Sequence, residues 1–439
     1  MSRPSITFAR WLTLGIGIKR WLLAFALGIG LIALGLSYAL LELYLRSEPQ
    51  PVAASHVSKA ALALLLGLVL TTLALVNLSR TILAPYRVHQ QGNVLDAVYA
   101  HSRRARGIKV VAIGGGTGLP AVLRGLKPYT SNITAVVTVA DDGGSSGRLR
   151  RDLGVLPPGD LRNNIAALAD DENLMTRLFQ YRFDTGDLGG HAFGNLFITA
   201  LSGVTGSLEQ ALVETERVLN IQGRVLPATL DDVNLSASVR LPAGHTVRVE
   251  GESSISASGG RIQQVELIPP TVTACAQSVQ AILDADLVVI GPGSLFTSII
   301  PNLLVRGIDG ALRASRAYKI YVCNVATQPG ETDGFTVADH VLALEDHIGR
   351  GLFQVVLANN VYPTDNAGVN THYVQPTPPH HDIYQRYDVR SADLTDPERP
   401  WRHDARKLAD AILNLTGEEK IGDSSSRYHL ADNQKPVIT

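Results

Sequence analysis

Two glycine-rich segments follow apolar, β-branched runs, and both have the composition of a phosphate-binding turn. Residues 109–113 (KVVAI) lead directly into 114–118 (GGGTG), and the apolar spacing of the next eight residues predicts a helix. A strand, a glycine turn and a helix in this order bring backbone N–H groups up to a phosphate. Residues 135–139 then end in 140–148 (ADDGGSSGR), whose glycines and serines expose further donors. We therefore expect an anionic ligand where the first two strands end.

The second of these segments also carries charged side chains that suit a nucleotide conjugate. Asp141 and Asp142 could hold a divalent cation or a sugar hydroxyl, and Arg148 could pair with a phosphate. A solvated turn is the alternative, because Asp-Gly and Ser-Gly are ordinary turn pairs. Further small or polar residues stand at predicted strand ends or helix starts: Ser145, Asp160, Arg162, Asn163, His191, Asn195, Gly291, Gly293, Ser294, Asn324, Asn359 and Asn360. This repetition along one sheet edge favours a long polar ligand.

Several catalytic and cofactor signatures are missing from the sequence. The dinucleotide fingerprint requires a glycine where this chain has Leu119, which weakens the case for NAD. There is no nucleophile elbow, no His/Glu zinc signature and no Walker turn with its lysine. The residues thus indicate binding more clearly than bond making, and we assign no catalytic residue and no metal ligand.

Most of the chain alternates apolar strands with amphipathic helices, which predicts an α/β domain with a doubly wound, mostly parallel sheet. One segment, 231–268, instead alternates polar and apolar residues and predicts a small antiparallel insertion. We expect a loop over 376–400 and a disordered tail over 416–439. The predicted strands are 109–113, 135–139, 286–290, 318–322 and 353–357, and the predicted helices are 161–169, 192–201, 208–219, 272–283, 297–304, 338–347 and 401–415.

The N-terminal part of the chain differs from the rest in composition. Residues 21–41 and 60–78 contain no charged side chain, and each is long enough to cross a bilayer as a helix. Arginines and lysines flank the outer ends of both spans, so the positive-inside rule puts both termini and the α/β domain in the cytoplasm. We therefore expect a transmembrane hairpin over 1–80 and a linker over 81–107. A signal peptide and a buried helix pair are the alternatives.

Overall composition excludes some classes of protein. The chain has 439 residues and a formal net charge of −1, so no basic excess points to nucleic acid. Its two cysteines, Cys275 and Cys323, fit neither a disulfide framework nor a zinc site and suit a reducing compartment.

Eight motifs in a fixed order resemble the YvcK-type gluconeogenesis factor family. This family belongs to a larger group that includes the CofD-like 2-phospho-L-lactate transferases. The resemblance covers about residues 108–415 and leaves out the hairpin, which typical members lack. The motifs are GGGTGL, TVADDGGSSGRLR, PPGDLRNN, LFQYRF, GHAFGN, GPGSLFTSIIPNLL, NVATQPGET and WRHDARKLA.

The resemblance implies a Rossmann-like fold over 108–415 that binds a UDP-sugar such as UDP-N-acetylglucosamine. It also implies a regulatory role in cell-envelope synthesis, cell shape and growth on gluconeogenic carbon sources, with no established reaction. Carried over by motif, Gly291, Gly293 and Ser294 would flank the diphosphate, and Arg402 would be a further nucleotide-sugar contact. The remaining nucleotide-binding positions would be Gly115, Gly116, Thr117, Gly118, Asp141 and Asp142.

Four functions remain open on this basis. The first is a membrane-tethered, nucleotide-sugar-binding regulator, with lipid, envelope-synthesis regulatory proteins and a second copy of the chain as candidate partners. The second is a CofD-type transferase that moves a phospholactyl group from a nucleoside diphosphate donor to a deazaflavin, and only this alternative brings in magnesium. The third is an NAD-dependent dehydrogenase, and the fourth is a scaffold with a vestigial pocket.

Overall fold

The computed structural model describes residues 18–45, 53–87, 103–169, 174–364 and 371–417. Contacts divide the chain into two compact units, Met1–Ala100 and His101–Thr439. Of the linker predicted over 81–107, residues 88–102 lie outside the described residues, as does the tail predicted over 416–439 from residue 418 onward.

The first unit contains two long helices, α1 (Ile18–Leu45) and α2 (Ala53–Arg87), which pack against each other. Gly28 and Gly67 lie at their contact, where a Cβ on Gly28 would come within 2.9 Å of Thr71 N. Among the described residues, two helical stretches are long and apolar enough to cross a membrane, Arg20–Leu41 and Val57–Ser79, and most of each is not buried. Small residues thus let the helices approach closely, while their leucines point outward.

The second unit is built on a seven-stranded sheet in which every pair of neighbours is parallel. Its strands are β1 (Val110–Gly114), β2 (Ile133–Val137), β3 (Arg224–Pro227), β7 (Leu287–Ile290), β8 (Tyr318–Val322), β9 (Val355–Asn359) and β10 (Asp388–Ala392). Four central strands, β1, β2, β7 and β9, are buried along their whole length, as strands covered by helices on both faces must be. The prediction of a doubly wound, mostly parallel α/β fold is confirmed.

Helices connect these strands and cover the sheet. Those before the small sheet are α3 (Leu119–Leu126), α4 (Gly144–Leu153), α5 (Gly159–Leu168), α6 (Leu174–Gln180), α7 (Phe193–Thr205) and α8 (Leu208–Leu219). Those after it are α10 (Ala276–Leu283), a π-helical turn (Leu295–Ile299), α11 (Ile300–Leu304), α12 (Ile308–Ala314), α13 (Val337–Ile348), α14 (Ile383–Arg386) and α15 (Ala405–Thr416).

The strand order β10-β9-β8-β7-β1-β2-β3 places a topological switch point between β1 and β7. From β1 the chain moves outward through β2 to β3, and it then returns to β7 and moves outward the other way. Ligands of open α/β sheets bind where the strand order reverses, outside the carboxyl ends of the two strands. Here those ends are Gly114 and Ile290, each followed by a glycine-rich loop.

The predicted antiparallel insertion is a three-stranded sheet of order β5-β4-β6. It consists of β4 (Asn234–Arg240), β5 (Thr246–Glu250) and β6 (Arg261–Ile268), with the short helix α9 (Glu252–Ala257) between β5 and β6. The insertion is joined to the main sheet's helices, because His347 Nε2 on α13 accepts a 2.9 Å bond from Val265 N on β6.

Several parts of the predicted layout are wrong or incomplete. The segment 376–400, predicted to be a loop, contains α14 and the edge strand β10. The strand β3 was not predicted, because it has four residues and ends in proline. An edge strand such as β10 (DVRSA) shows no apolar run, since half of its surface faces water.

Candidate functional site

Two glycine loops meet at the switch point, one from β1 and one from β7. A Cβ on Gly118 would lie 2.6 Å from the carbonyl oxygen of Pro292, so only glycine allows this approach. Gly291, with φ +78°, turns the chain out of β7, and its N–H donates to Ile113 O at 2.8 Å. The predicted residues of GGGTG and GPGS therefore do come together, and their contact forms the floor of the site.

Asp160 holds the GGGTG turn in place. Its Oδ2 accepts a 2.7 Å bond from Gly116 N, and a Cβ on Gly115 would lie 2.6 Å from the same oxygen. Burial raises the pKa of Asp160 to about 6, and the bond from Gly116 N–H opposes that rise. The carboxyl therefore positions the turn, whereas Thr117 at its tip is exposed.

The acidic segment after β2 meets the small sheet. Asp142 Oδ1 accepts from both the N–H (2.9 Å) and the hydroxyl (2.8 Å) of Ser253, and Asp141 Oδ1 accepts from Gly143 N at 2.8 Å. A third carboxylate, Glu252, joins them, with one oxygen of each residue within 4.8 Å of the others.

This carboxylate cluster (Asp141, Asp142 and Glu252) concentrates negative charge. Burial and the charges of Asp141 and other neighbouring carboxylates together raise the pKa of Glu252 to about 9. Hard oxygen donors at these separations suit Mg²⁺ or Ca²⁺, and such an ion would offset their mutual repulsion. The structure thus gathers a candidate cation site where the sequence led us to assign no metal ligand.

The GPGS loop is held by the segment that follows β8. Gly293 N donates to Asn324 Oδ1 (3.1 Å), and Asn324 Nδ2 donates back to Gly293 O (2.8 Å). Ser294 Oγ donates to Gln328 Oε1 at 2.6 Å, and Gln328 Nε2 donates to Glu331 Oε1 at 2.7 Å. These hydrogen bonds fix the conformation of the GPGS loop. The predicted site residue Asn324 therefore positions this loop.

Glu331 ties this network to neighbouring elements. Its Oε1 also accepts from the hydroxyls of Thr297 (3.1 Å) and Ser256 (3.2 Å), which belong to the π-helical turn and to α9. The residue is 3% exposed, and burial raises its pKa. The small sheet is therefore joined to the switch-point loops through one buried carboxyl.

Ser145, His191 and Asn195 form a buried polar group beside the acidic segment. Ser145 Oγ accepts from Asn195 Nδ2 and donates to His191 Nδ1, each at 3.0 Å. Burial and the nearby Arg148 lower the pKa of His191, which favours the neutral ring. The predicted Ser145 and Asn195 thus lie together.

Two predicted residues are less directly connected to the glycine loops. Asn163, on α5, accepts a 2.6 Å bond from the guanidinium of Arg162. Arg402 is exposed, but the neighbouring His403 Nε2 lies 3.2 Å from Cys323 O. This contact puts the segment before α15 at the carboxyl end of β8.

The sequence analysis missed Glu252, Gln328 and Glu331. Gln328 and Glu331 stand inside the quoted motif NVATQPGET, but no spacing rule marked them as chemical residues. Glu252 lies within the antiparallel insertion, between β5 and β6, and this insertion carried no functional signal in the sequence. All three residues lie near the switch point in the folded chain, and the sequence alone does not show this proximity.

Comparisons with known proteins place the chain among named relatives. The family model described as 2-phospho-L-lactate transferase CofD matches residues 110–395. A putative gluconeogenesis factor from Nostoc sp. is 45% identical over 426 residues, which cover 93% of this chain and 92% of the relative. The gluconeogenesis factor of Bacillus subtilis is 44% identical over 316 residues, which cover 71% of this chain and 98% of the relative.

A crystal structure of a UPF0052 family member from Bacillus halodurans has a TM-score of 0.65 and 42% sequence identity. It covers 69% of this chain and 99% of its own. The Nostoc match extends into the first unit, because residues 101–439 make up 339 of 439 residues, or about 77% of this chain. Some relatives thus extend into the N-terminal region that the sequence analysis left outside the resemblance. The chain belongs to the CofD family and, within it, to the gluconeogenesis factors.

Proposed function

We propose that this protein is a membrane-tethered regulator that binds a UDP-sugar, such as UDP-N-acetylglucosamine, at the switch point. Through that binding it controls cell-envelope synthesis, cell shape and growth on gluconeogenic carbon sources. The names of the relatives support a role in gluconeogenic growth. The nucleotide-sugar ligand goes beyond what those names say and is part of our proposal.

The observation that carries the proposal is the meeting of two glycine loops at the strand-order reversal. A cleft of this kind admits a long ligand whose polar groups are read by several strand ends. The carboxylates around it suit hydroxyl groups of ribose and sugar, which donate hydrogen bonds. A diphosphate in the same cleft requires cationic or N–H partners to balance those carboxylates.

The helix pair of the first unit supports the proposed membrane tether. Its two helices carry outward-facing leucines such as Leu23 (71% exposed) and Leu62 (65% exposed), which water would solvate poorly and lipid would cover. Arg80 and Arg87 follow the second span, and Lys19 and Arg20 precede the first, which favours cytoplasmic ends. Holding the domain at the membrane raises its local concentration where envelope precursors are used.

The test is a pair of substitutions at Gly116, where φ is +60° and an added Cβ meets only Ser298 Oγ, at 3.6 Å. Gly116→Asp puts a carboxylate beside the ligand's phosphates, whereas Gly116→Asn has the same shape and a similar tolerance of this backbone conformation. We expect the Asp variant of the full chain, in nanodiscs, to bind UDP-N-acetylglucosamine at least tenfold more weakly than the Asn variant by calorimetry. Equal affinities of the Asp and Asn variants would contradict the assignment of the ligand to the switch point.

A transferase of the CofD type is the second candidate, and the carboxylate cluster favours it. Mg²⁺ bound by Asp141, Asp142 and Glu252 would neutralise a nucleoside diphosphate and act as a Lewis acid. The experiment is to incubate the chain with a phospholactyl nucleotide and a deazaflavin, with and without Mg²⁺. Magnesium-dependent transfer that Glu252→Gln abolishes would establish this function.

A further inference from the structure

Three arginines converge on the loop that contains GGHAFG (189–194). Arg148 Nη2, from α4, donates to Gly189 O at 2.8 Å, and Arg182 Nη1 donates to Gly190 O at 2.6 Å. Arg162, from α5, lies under the same loop, because a Cβ on Gly194 would be 2.9 Å from its Cγ and Cδ. Side chains from three separate parts of the chain thus lie against Gly189, Gly190 and Gly194 of one segment.

These guanidinium groups influence one another electrostatically. Burial lowers the pKa of Arg162 and the positive charge of Arg182 lowers it further, whereas the charges of Asp160 and Asp141 raise it. Burial and the charges of Arg148 and Arg182 lower the pKa of His191, which follows Gly190 in the loop, and the charge of Asp152 opposes them. Like charges gathered in this way destabilise the folded chain unless an anion offsets them.

No carboxylate within the described residues neutralises these arginines by an ion pair. None of the salt bridges at 4.0 Å or less in that part of the chain involves Arg148, Arg162 or Arg182. Each guanidinium has five N–H donors, and each makes one hydrogen bond to the protein. By contrast, Arg313 and Arg386 are both ion-paired.

We propose that Arg148, Arg162 and Arg182 form a binding site for a phosphate group. Planar guanidinium forks match phosphate oxygens. This arginine site lies beside the acidic segment, so positive and negative groups flank the same region of the molecule. The proposal stands on the arginine geometry and does not depend on which nucleotide binds at the switch point.

The phosphate can come from two sources, which the experiment distinguishes. It can be the diphosphate of the nucleotide sugar, in which case the arginines supply the cations that the carboxylate-lined cleft lacks. It can also belong to a separate phosphorylated molecule. In the first case pyrophosphate competes with UDP-N-acetylglucosamine, and in the second case both bind together.

The probe is pyrophosphate, titrated into the full chain in nanodiscs by calorimetry at constant ionic strength. The test variant is Arg182→Glu, because Arg182 is exposed and its replacement spares the core. The matched control is Arg217→Glu on α8, an arginine that is 69% exposed and paired with Glu214. Thermal unfolding of each variant checks that the fold is intact.

We expect Arg182→Glu to weaken pyrophosphate binding at least tenfold and Arg217→Glu to change it less than twofold. The proposal is overturned if the parent chain does not bind pyrophosphate, or if Arg182→Glu and Arg217→Glu behave alike. Should pyrophosphate bind through Arg182 while UDP-N-acetylglucosamine does not bind the parent chain, the arginine site stands and the proposed nucleotide-sugar function fails.

Discussion

At the scale of the residue, the site depends on buried ionisable groups that hold backbone rather than on exposed reactive ones. Asp160 fixes the GGGTG turn through Gly116 N, and Glu331 fixes the GPGS loop through Gln328. The sequence predicted Asp160 as a site residue but not that it holds the GGGTG turn. The bond from Gly116 N joins residues that are 44 positions apart, and no local pattern shows such a contact. Burial and partner, which decide the role, are properties of the fold.

One buried histidine predicts the pH dependence of stability. His340 on α13 is fully buried, its Nδ1–H donates to Thr336 O at 2.8 Å, and its Nε2 has no partner. Burial therefore lowers its pKa to about 4, since a second proton on Nε2 would carry charge without an acceptor. The neutral ring is favoured in the folded chain.

We expect the free energy of unfolding to fall as the pH drops from about 6.5 toward 4, by about 3 kcal/mol from His340 alone. The sign follows because the unfolded chain takes up a proton near pH 6.5 and the folded chain resists doing so. The measurement is chemical unfolding of the full chain between pH 4 and 7.5. His340→Gln removes the titrating group, and an unchanged pH slope in that variant would contradict this account.

At the scale of the element, prediction succeeded where one physical signal dominated. Tyr318–Val322 and Leu208–Leu219 have the predicted bounds, because the first is a mostly buried run that is apolar except for Lys319 and the second is a regular amphipathic helix with a serine cap. The segment 297–304 was predicted as one helix, but a π-helical turn precedes α11 there. In that turn, Thr297 and Ser298 are both buried at the switch point. Their burial depends on tertiary packing, which the spacing of apolar residues in the sequence does not reveal.

The helix pair of the first unit makes a prediction with a matched control on the same helix. Gly28 lies against α2, whereas a Cβ on Gly30, two residues along α1, would meet no atom within 4 Å. We expect Gly28→Leu to destabilise the pair by roughly 1–3 kcal/mol, because the larger side chain forces the helices apart. Gly30→Leu should be nearly neutral.

The measurement is a titration of the full chain, held in mixed micelles, with dodecyl sulfate. Its readout is the detergent fraction at which the two helices separate. Unfolding of both variants at the same detergent fraction would mean that the close approach at Gly28 contributes nothing to the pairing.

At the scale of the whole molecule, the site arises from strand order and from the small sheet. The sequence located glycine loops after β1 and β7, but their adjacency follows from β7 lying next to β1, about 180 residues away in sequence. Glu252 and Ser256 reach the site on α9, which the small sheet carries there. Local patterns do not encode such long-range pairings, so a cluster of this kind cannot be read from spacing.

The division into two units leads to a prediction about the tether. The Bacillus subtilis relative is matched over 98% of its length by 71% of this chain, so a chain of that length is a complete member of the family. We therefore expect residues 101–439, produced alone, to remain soluble and folded, and to bind UDP-N-acetylglucosamine with the affinity of the full chain. If the two apolar helices span the bilayer as proposed, the full chain should stay with the membrane through a carbonate wash, because burial of apolar surface and not charge would hold it there. A full chain released by carbonate would contradict the tether, and a fragment that folds but loses the ligand would mean that the first unit contributes to the site.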